Sequence, residues 1–417
     1  MRPEMPQATA AGGRFRGHEH DMMSDSEALG GQPAPLVGRR WGAVGRARRA
    51  DQARAGACNT LGPVRLGVSG ALLGDQVMAG DVAVRDGVVE AVGLVPAGRG
   101  SALAVPGLID LQVNGVGEVD FATADPDAWT RAGRVLARSG TTAFRPTFVT
   151  DRPDRMAGAL AGVPRSGLPA KVLGAHLEGP FISERRLGAH RGDLRLDPDP
   201  QVMRLLLGAG PVRQVTLAPE LPGAAELIDM CVGAGVTVAC GHSDASAAEA
   251  ASAFERGAAV VTHLFNAMRT GDHRDPGLAL AALSRSDVHV TVIADGVHVA
   301  TEALLVAWRA ARGRLALVSD MVPSRMAGVP LVPDGRVLRR ADGTLAGSAG
   351  SLLDGVRFLV GAGVPLVDAV LAATRVPATI AGTRLGSITP GGPADLVVID
   401  DRLGIATVMV DGVEVTQ

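Results

Sequence analysis

Lys171-Val-Leu-Gly-Ala-His-Leu-Glu178, Val236-Thr-Val-Ala-Cys-Gly-His242, Ala259-Val-Val-Thr-His263 and Leu315-Ala-Leu-Val-Ser-Asp320 share one plan. Each is a short aliphatic, partly β-branched run, bounded by glycine or polar residues, that ends on a carboxylate or an imidazole. Such runs read as buried parallel strands, and the residue closing each run emerges where the strand ends. Glu178, His242 and His263 are therefore candidate metal ligands. One carboxylate and two imidazoles leave a zinc-like ion an open position for water, and the further carboxylate of Asp320 is available to move protons.

Outward from these four, strand-like segments recur at 108–113, 141–149, 214–219 and 289–294. Alanine-rich helical stretches lie between them, among them 128–139, 224–233, 246–256 and 302–312. Eight strands alternating with helices over about 270 residues is the pattern of a TIM (β/α)8 barrel, whose active site sits at the C-terminal strand ends. The two flanks of this α/β middle differ from it. Asp81-Val-Ala-Val-Arg-Asp-Gly-Val-Val-Glu on one side and Thr407-Val-Met-Val-Asp-Gly-Val-Glu on the other are alternating strands turned by Asp-Gly, a strong hairpin signal. They predict a small β-sandwich built from both termini. The expected organisation is an extension over 1–60, sandwich over 61–105, catalytic barrel over 106–375, and sandwich again over 376–417.

Composition permits an enzyme of this kind. The 417 residues are 47% hydrophobic and 20% charged, enough to bury a large core. A net charge of -2 gives no general attraction for nucleic acid or anionic membrane. Three cysteines, Cys58, Cys231 and Cys240, are too few and too uneven for a disulfide framework and point to a reducing, cytoplasmic setting. Lys171 is the single lysine among 41 basic residues, which reads as the codon bias of a GC-rich genome. Residues 1–60, rich in Gly, Arg and Ala and without hydrophobic period, read as a disordered extension. No run approaches the ~18 apolar residues of a spanning helix.

Several motifs carry a more specific signal. Pro106-Gly-Leu-Ile-Asp-Leu-Gln-Val-Asn-Gly, His176-Leu-Glu-Gly-Pro-Phe, Leu217-Ala-Pro-Glu, Gly241-His-Ser-Asp-Ala, Thr262-His-Leu-Phe-Asn-Ala-Met, Ile293-Ala-Asp-Gly-Val-His and Leu345-Ala-Gly-Ser occur in this order. Together they resemble the N-acetylglucosamine-6-phosphate deacetylases of the amidohydrolase superfamily, from about residue 64 to the C-terminus. The resemblance implies deacetylation of a small amino-sugar phosphate, with metal ligation by Glu178, His242 and His263. Many superfamily members place His-x-His after the first strand and hold two metals. Gln112 and Asn114 stand there in this chain, so one divalent ion is expected: zinc first, with iron, cobalt or manganese accepted by the same ligands.

By the same resemblance Asp320 is the proton acceptor and donor, and His298 polarises the acetyl carbonyl. The phosphate is expected on the backbone N–H groups of Asn266 and Ala267 and on Arg274, with His190 on a sugar hydroxyl and Gln112 beside the substrate. The equivalent arginine in this family reaches across a dimer interface, which implies a homodimer. Three departures stand out: Met321 after Asp320, where it bears on the pocket floor; Arg145 in Arg-Pro-Thr where an apolar residue is usual; and Val376-Pro-Ala. Two other readings compete: deacetylation of a galacto-configured or unphosphorylated amino sugar, and a catalytically silent barrel that binds sugar phosphate.

Overall fold

A computed structural model of the chain describes residues 62–96 and 100–416; the extension expected over 1–60 lies outside the described residues. Eight parallel strands, β1 (Leu108–Val113), β2 (Thr141–Val149), β3 (Ala175–Glu178), β4 (Val212–Leu217), β5 (Thr237–Cys240), β6 (Val260–Val261), β7 (His289–Ile293) and β8 (Leu315–Val318), pair in sequence order. The circle closes beyond the end of β8: Asp320 N–H donates to the Gln112 carbonyl at 3.0 Å and Asn114 N–H to the Met321 carbonyl at 2.7 Å. One or more helices follow each strand, from Pro126–Arg138 after β1 to Leu352–Gly361 after β8. This is the (β/α)8 barrel expected from the alternation.

Local chemistry explains where these elements start and stop. Helix Pro126–Arg138 opens with Asp125 capping the Ala128 N–H and proline in its first turn, where the missing N–H costs nothing. It buries Ala128, Trp129, Ala132 and Leu136, and Trp129 stacks on Phe121 with ring centroids 4.5 Å apart. Truncating such a fully buried ring costs about 3–5 kcal/mol. The strands are shorter than the apolar runs suggest. The run 171–178 is broken at Gly174, whose φ of +83° and 2.3 Å approach of a Cβ to Arg213 Cγ admit only glycine. The run 259–265 keeps just two strand residues, because His263 and Phe265 adopt left-handed backbone at φ +32° and +76°.

Both flanks of the barrel join one six-stranded sheet. Gly70–Leu73, Gln76–Ala79 and Leu103–Pro106 come from before the barrel, and Leu396–Ile399, Ile405–Val410 and Val413–Glu414 from after it. Leu103–Pro106 and Leu396–Ile399 pair antiparallel. A second sheet holds Val64–Arg65, Asp81–Arg85 and Val88–Leu94, and residues of both sheets share one apolar cluster, including Val82, Val84, Leu396 and Met409. Lys171 ties the barrel to this region, its Nζ lying 2.7 Å from Asp395 and 2.6 Å from Asp411.

Two features depart from the expected plan. The boundary drawn at residue 376 cuts helix Arg375–Ala381, whose Ala378 packs with Ile109, Leu111 and Ala143 against the barrel. Pro377 is accommodated there in the first turn, where no intrahelical donor is required. Between β8 and helix Leu352–Gly361 the chain also makes hairpin strands Arg325–Met326, Val329–Pro330, Val332–Asp334, Val337–Arg339 and Leu345–Ser348. This flap was not anticipated, although Pro333-Asp-Gly between apolar residues is a hairpin signal.

Candidate active site

The strand ends bring Glu178, His242 and His263 together. Glu178 Oε1 lies 3.2 Å from His242 Nε2 and 2.9 Å from His263 Nε2, and the two Nε2 atoms are 3.0 Å apart. All three residues are buried. Ligand atoms around a tetrahedral ion with bonds of about 2.0–2.1 Å are separated by about 3.3 Å, so three such atoms form a face of the right size for one small dication. Burial pushes the Glu178 carboxyl up, but the close approach of the His190, His242 and His263 rings outweighs it and holds the group well below the usual carboxylate range. Glu178 is thus the anion a cation site requires.

Ring tautomers separate ligand from neighbour. His242 Nδ1 donates to the Arg186 carbonyl at 3.0 Å, which leaves the Nε2 lone pair for a metal. His190 also approaches this group, and Glu178, His190 and His242 offer ligand atoms within 4.8 Å of one another. Its Nδ1, however, accepts from the Thr150 N–H at 3.3 Å. In the neutral ring the proton then sits on Nε2, which faces Glu178 Oε2 at 3.7 Å as a donor. His190 therefore presents a donor rather than a lone pair, and His263 completes the donor set. His263 Nδ1 is buried without a partner.

The backbone around these residues is strained where the chemistry sits. His242, His263 and Asp320 all have positive φ, at +47°, +32° and +48°, a conformation that costs non-glycine residues of order 1–3 kcal/mol and clusters at functional sites. The loop after β5 is fixed by Glu220, which accepts from Ser243 Oγ at 2.7 Å and from the Asp244 N–H at 2.6 Å. Gly188, at φ +57°, lies over His242: a Cβ there would come within 3.3 Å of the ring.

Asp320 lines the same cavity as the triad. Its Oδ1 accepts from Asn114 Nδ2 at 2.9 Å and Gln112 Nε2 at 3.1 Å, while the same Gln112 amide donates to Glu178 Oε1 at 2.9 Å. One amide thus bridges the two carboxylates where other superfamily members are expected to carry a second metal's imidazoles. Burial first, and the Glu178 charge second, push the Asp320 carboxyl up to about 8. A dication beside it draws that value down, because two positive charges favour the carboxylate. His298 Nδ1 donates to Asp295 Oδ2 at 2.6 Å, which fixes the ring and leaves Nε2 as its free nitrogen.

A cavity of about 220 Å3 joins Asn114, Glu178, His190, His242, His263, Asn266, Ala267, His298 and Asp320. Met326, Thr344, Leu345 and Ala346 of the flap form another wall. Gln112 and Arg274 do not line it: Gln112 is spent behind it on the two carboxylates, and Arg274 is exposed on the loop before helix Gly277–Leu283. Met321 is likewise absent from the pocket floor, since its side chain packs into the main core. Arg145 points elsewhere too, fully buried with Nη1 on Gln214 Oε1 at 2.7 Å. Thr150, which holds His190, and the flap residues Met326 and Thr344 of the cavity wall lie outside the quoted motifs, and Asp295 lies within one that gave it no part of its own. Cys231 and Cys240 are buried and unbridged.

Comparison with known proteins identifies the family. The model of the Amidohydrolase family matches residues 103–415. N-acetylglucosamine-6-phosphate deacetylase of Homo sapiens is 38% identical over 342 residues, covering 75% of this chain and 83% of that protein. N-acetylgalactosamine-6-phosphate deacetylase of Escherichia coli O157:H7 is 32% identical over 349 residues, covering 79% and 93%. The N-acetyl-D-glucosamine-6-phosphate deacetylase D267A mutant from Mycobacterium smegmatis, solved in complex with N-acetyl-D-glucosamine-6-phosphate, superposes with a TM-score of 0.81 at 34% identity, over 85% of this chain and 100% of that one. The chain belongs to the amidohydrolase family.

Proposed function

We propose that this chain hydrolyses the acetamide of N-acetylglucosamine 6-phosphate to glucosamine 6-phosphate and acetate, as a metal-dependent deacetylase of amino-sugar metabolism. The observation that carries the reading is the meeting of Glu178, His242 and His263 with Asp320 and His298 in one cavity. Glu178, His242 and His263 would hold one divalent cation, zinc in the first instance, which supplies Lewis acidity toward water and the acetyl oxygen. Asp320 takes a proton from the attacking water as the C–O bond forms. It then delivers that proton to the amine nitrogen as the C–N bond breaks. His298, held through Nδ1 by the Asp295 carboxylate, would act in its doubly protonated form, donating from Nε2 to the oxygen on which negative charge develops. His190 Nε2 donates to a sugar hydroxyl. The Ala267 backbone N–H is assigned to the phosphate, whereas the Asn266 N–H donates to the His263 carbonyl at 2.9 Å and would have to be shared or released to join it.

Arg274 is assigned to the phosphate through a homodimer, in which its exposed loop reaches the neighbouring subunit's cavity. A cytoplasmic enzyme is proposed on the sparse cysteines, of which Cys231 and Cys240 are unbridged; no helix among the described residues is long and apolar enough to cross a membrane. The two sheets outside the barrel are read as one small β-sandwich drawn from both sides of it, over roughly residues 61–105 and the segment after helix Arg375–Ala381. The galacto epimer is the second reading, favoured by the Escherichia coli O157:H7 relative. Product analysis of metal-replete protein with N-acetylglucosamine 6-phosphate, its galacto epimer and its dephosphorylated form decides between them: acetate release fastest from the first supports the proposal, and release fastest from either other sugar replaces it.

A further inference from the structure

A second cavity of about 110 Å3 opens beside the first, and the two share Val149, Ala189, His190 and Met326 as a common wall. Its far side is largely aliphatic, from Leu194, Ala327, Val329 and Leu331. Its charged groups are mostly committed. Asp120 accepts from the backbone N–H groups of Ala122 and Ala327 at 2.9 Å each. Asp151 accepts from the Arg152 N–H at 2.7 Å and lies 3.9 Å from Arg155, and Arg191 pairs with Asp193 at 2.5 Å.

Arg340 differs from these. Its Nη1 donates to the Ala189 carbonyl at 3.0 Å, on the wall between the cavities, and it has no carboxylate within 4 Å among the described residues. A guanidinium has five donors, so one bond to a carbonyl leaves a planar fork free for a carboxylate. A half-buried position strengthens such a pair over one on the open surface. Asp120 and Asp151 line the same cavity, so this attraction is local to the Arg340 fork.

We infer that this side cavity is a substituent subsite: it accepts a short aliphatic arm ending in a carboxylate, carried as an ether on the sugar hydroxyl that His190 faces, with Arg340 as the carboxylate's partner. An ether oxygen at that position still accepts from His190 Nε2, so the anchor is kept while the arm passes the shared wall. The aliphatic far side suits the methylene or methyl carbons of the arm. The inference rests on the proposed deacetylation and widens its substrate class to carboxyalkyl ethers of the same amino-sugar phosphate.

The test compares N-acetylglucosamine 6-phosphate with its 3-O- and 4-O-carboxymethyl ethers and the uncharged 3-O- and 4-O-ethyl ethers, using metal-replete wild type and Arg340→Gln. Glutamine keeps a donor for Ala189 and removes the charge. Expected is a kcat/KM for one carboxymethyl ether of at least a tenth of the parent's, with Arg340→Gln lowering the ratio of ether to parent about 10–100-fold through the loss of one charge-assisted contact. The ratio for the matching ethyl ether stays within threefold. Both carboxymethyl ethers below a tenth of a readily hydrolysed parent, or a ratio unmoved by Arg340→Gln, overturns the subsite. An inert parent overturns the deacetylase reading instead, so the two failures are told apart.

Discussion

Asp320→Asn isolates the proton-transfer step. Asp320 receives both of its hydrogen bonds on Oδ1, from Asn114 and Gln112, so an asparagine amide oxygen at that atom keeps both donors satisfied. The substitution preserves shape and removes one proton acceptor. Positioned general acid–base groups are worth about 10²–10⁴-fold, and one residue that both accepts and returns the proton belongs at the upper end. At about 1.36 kcal/mol per decade that is roughly 4–5.4 kcal/mol of transition-state stabilisation. The assay is amine release from N-acetylglucosamine 6-phosphate at saturating substrate, with metal content determined on the same preparations. The variant should hold its ion and lose 10³-fold or more in kcat, while its metal-free form should melt at or above metal-free wild type at pH 8, because a buried carboxyl that resists ionisation is gone. Turnover within tenfold of wild type at full metal occupancy would move the base to another residue.

Other perturbations reach other parts of the account. His298→Ala should lower kcat about 10²–10³-fold, as loss of one oxyanion donor does, with the metal retained; steady-state kinetics showing less than a threefold loss would free His298 of that role. Arg274→Ala should cost about 10–100-fold in kcat/KM on the phosphorylated sugar and little on its dephosphorylated form, and equal losses on both would make the residue structural. Burial pushes the Asp110 carboxyl up to about 6 despite hydrogen bonds from Ser319 and Gln112. Its folded value exceeds the unfolded ~3.9, so its contribution to stability is full below about pH 4 and is lost as pH rises through 6, by up to about 3 kcal/mol. Calorimetry should accordingly find Asp110→Asn gaining Tm over wild type between pH 4 and pH 7.5; a pH-independent difference contradicts the assignment.

Much of this was legible in the chain because strand-end residues inherit their position from the apolar run before them. Glu178 is the plainest case: it is the last residue of β3, and the alternation alone points it out of the barrel mouth. His242, His263 and Asp320 were found by the same rule for a partly different reason, since all three lie past the end of their strands in left-handed backbone that apolar runs do not encode. Gln112 was legible as a residue of the site but not in its part there, because only the folded barrel brings its amide between two carboxylates 66 and 208 residues away. The flap at 325–348 escaped the reading because its strands are two to four residues long, too short to show a period. Arg274 shows the converse limit, a residue assigned by resemblance that its own chain leaves outside the cavity.

The account turns on one cation held by Glu178, His242 and His263, and a metal add-back titration tests it most directly. Protein stripped by chelation and titrated with zinc should regain deacetylation of N-acetylglucosamine 6-phosphate in proportion to ion bound, reaching full activity at one ion per chain, while Glu178→Gln titrated alongside should stay inactive and bind weakly. Full activity in the stripped protein, or a plateau reached only at two ions per chain, would contradict it.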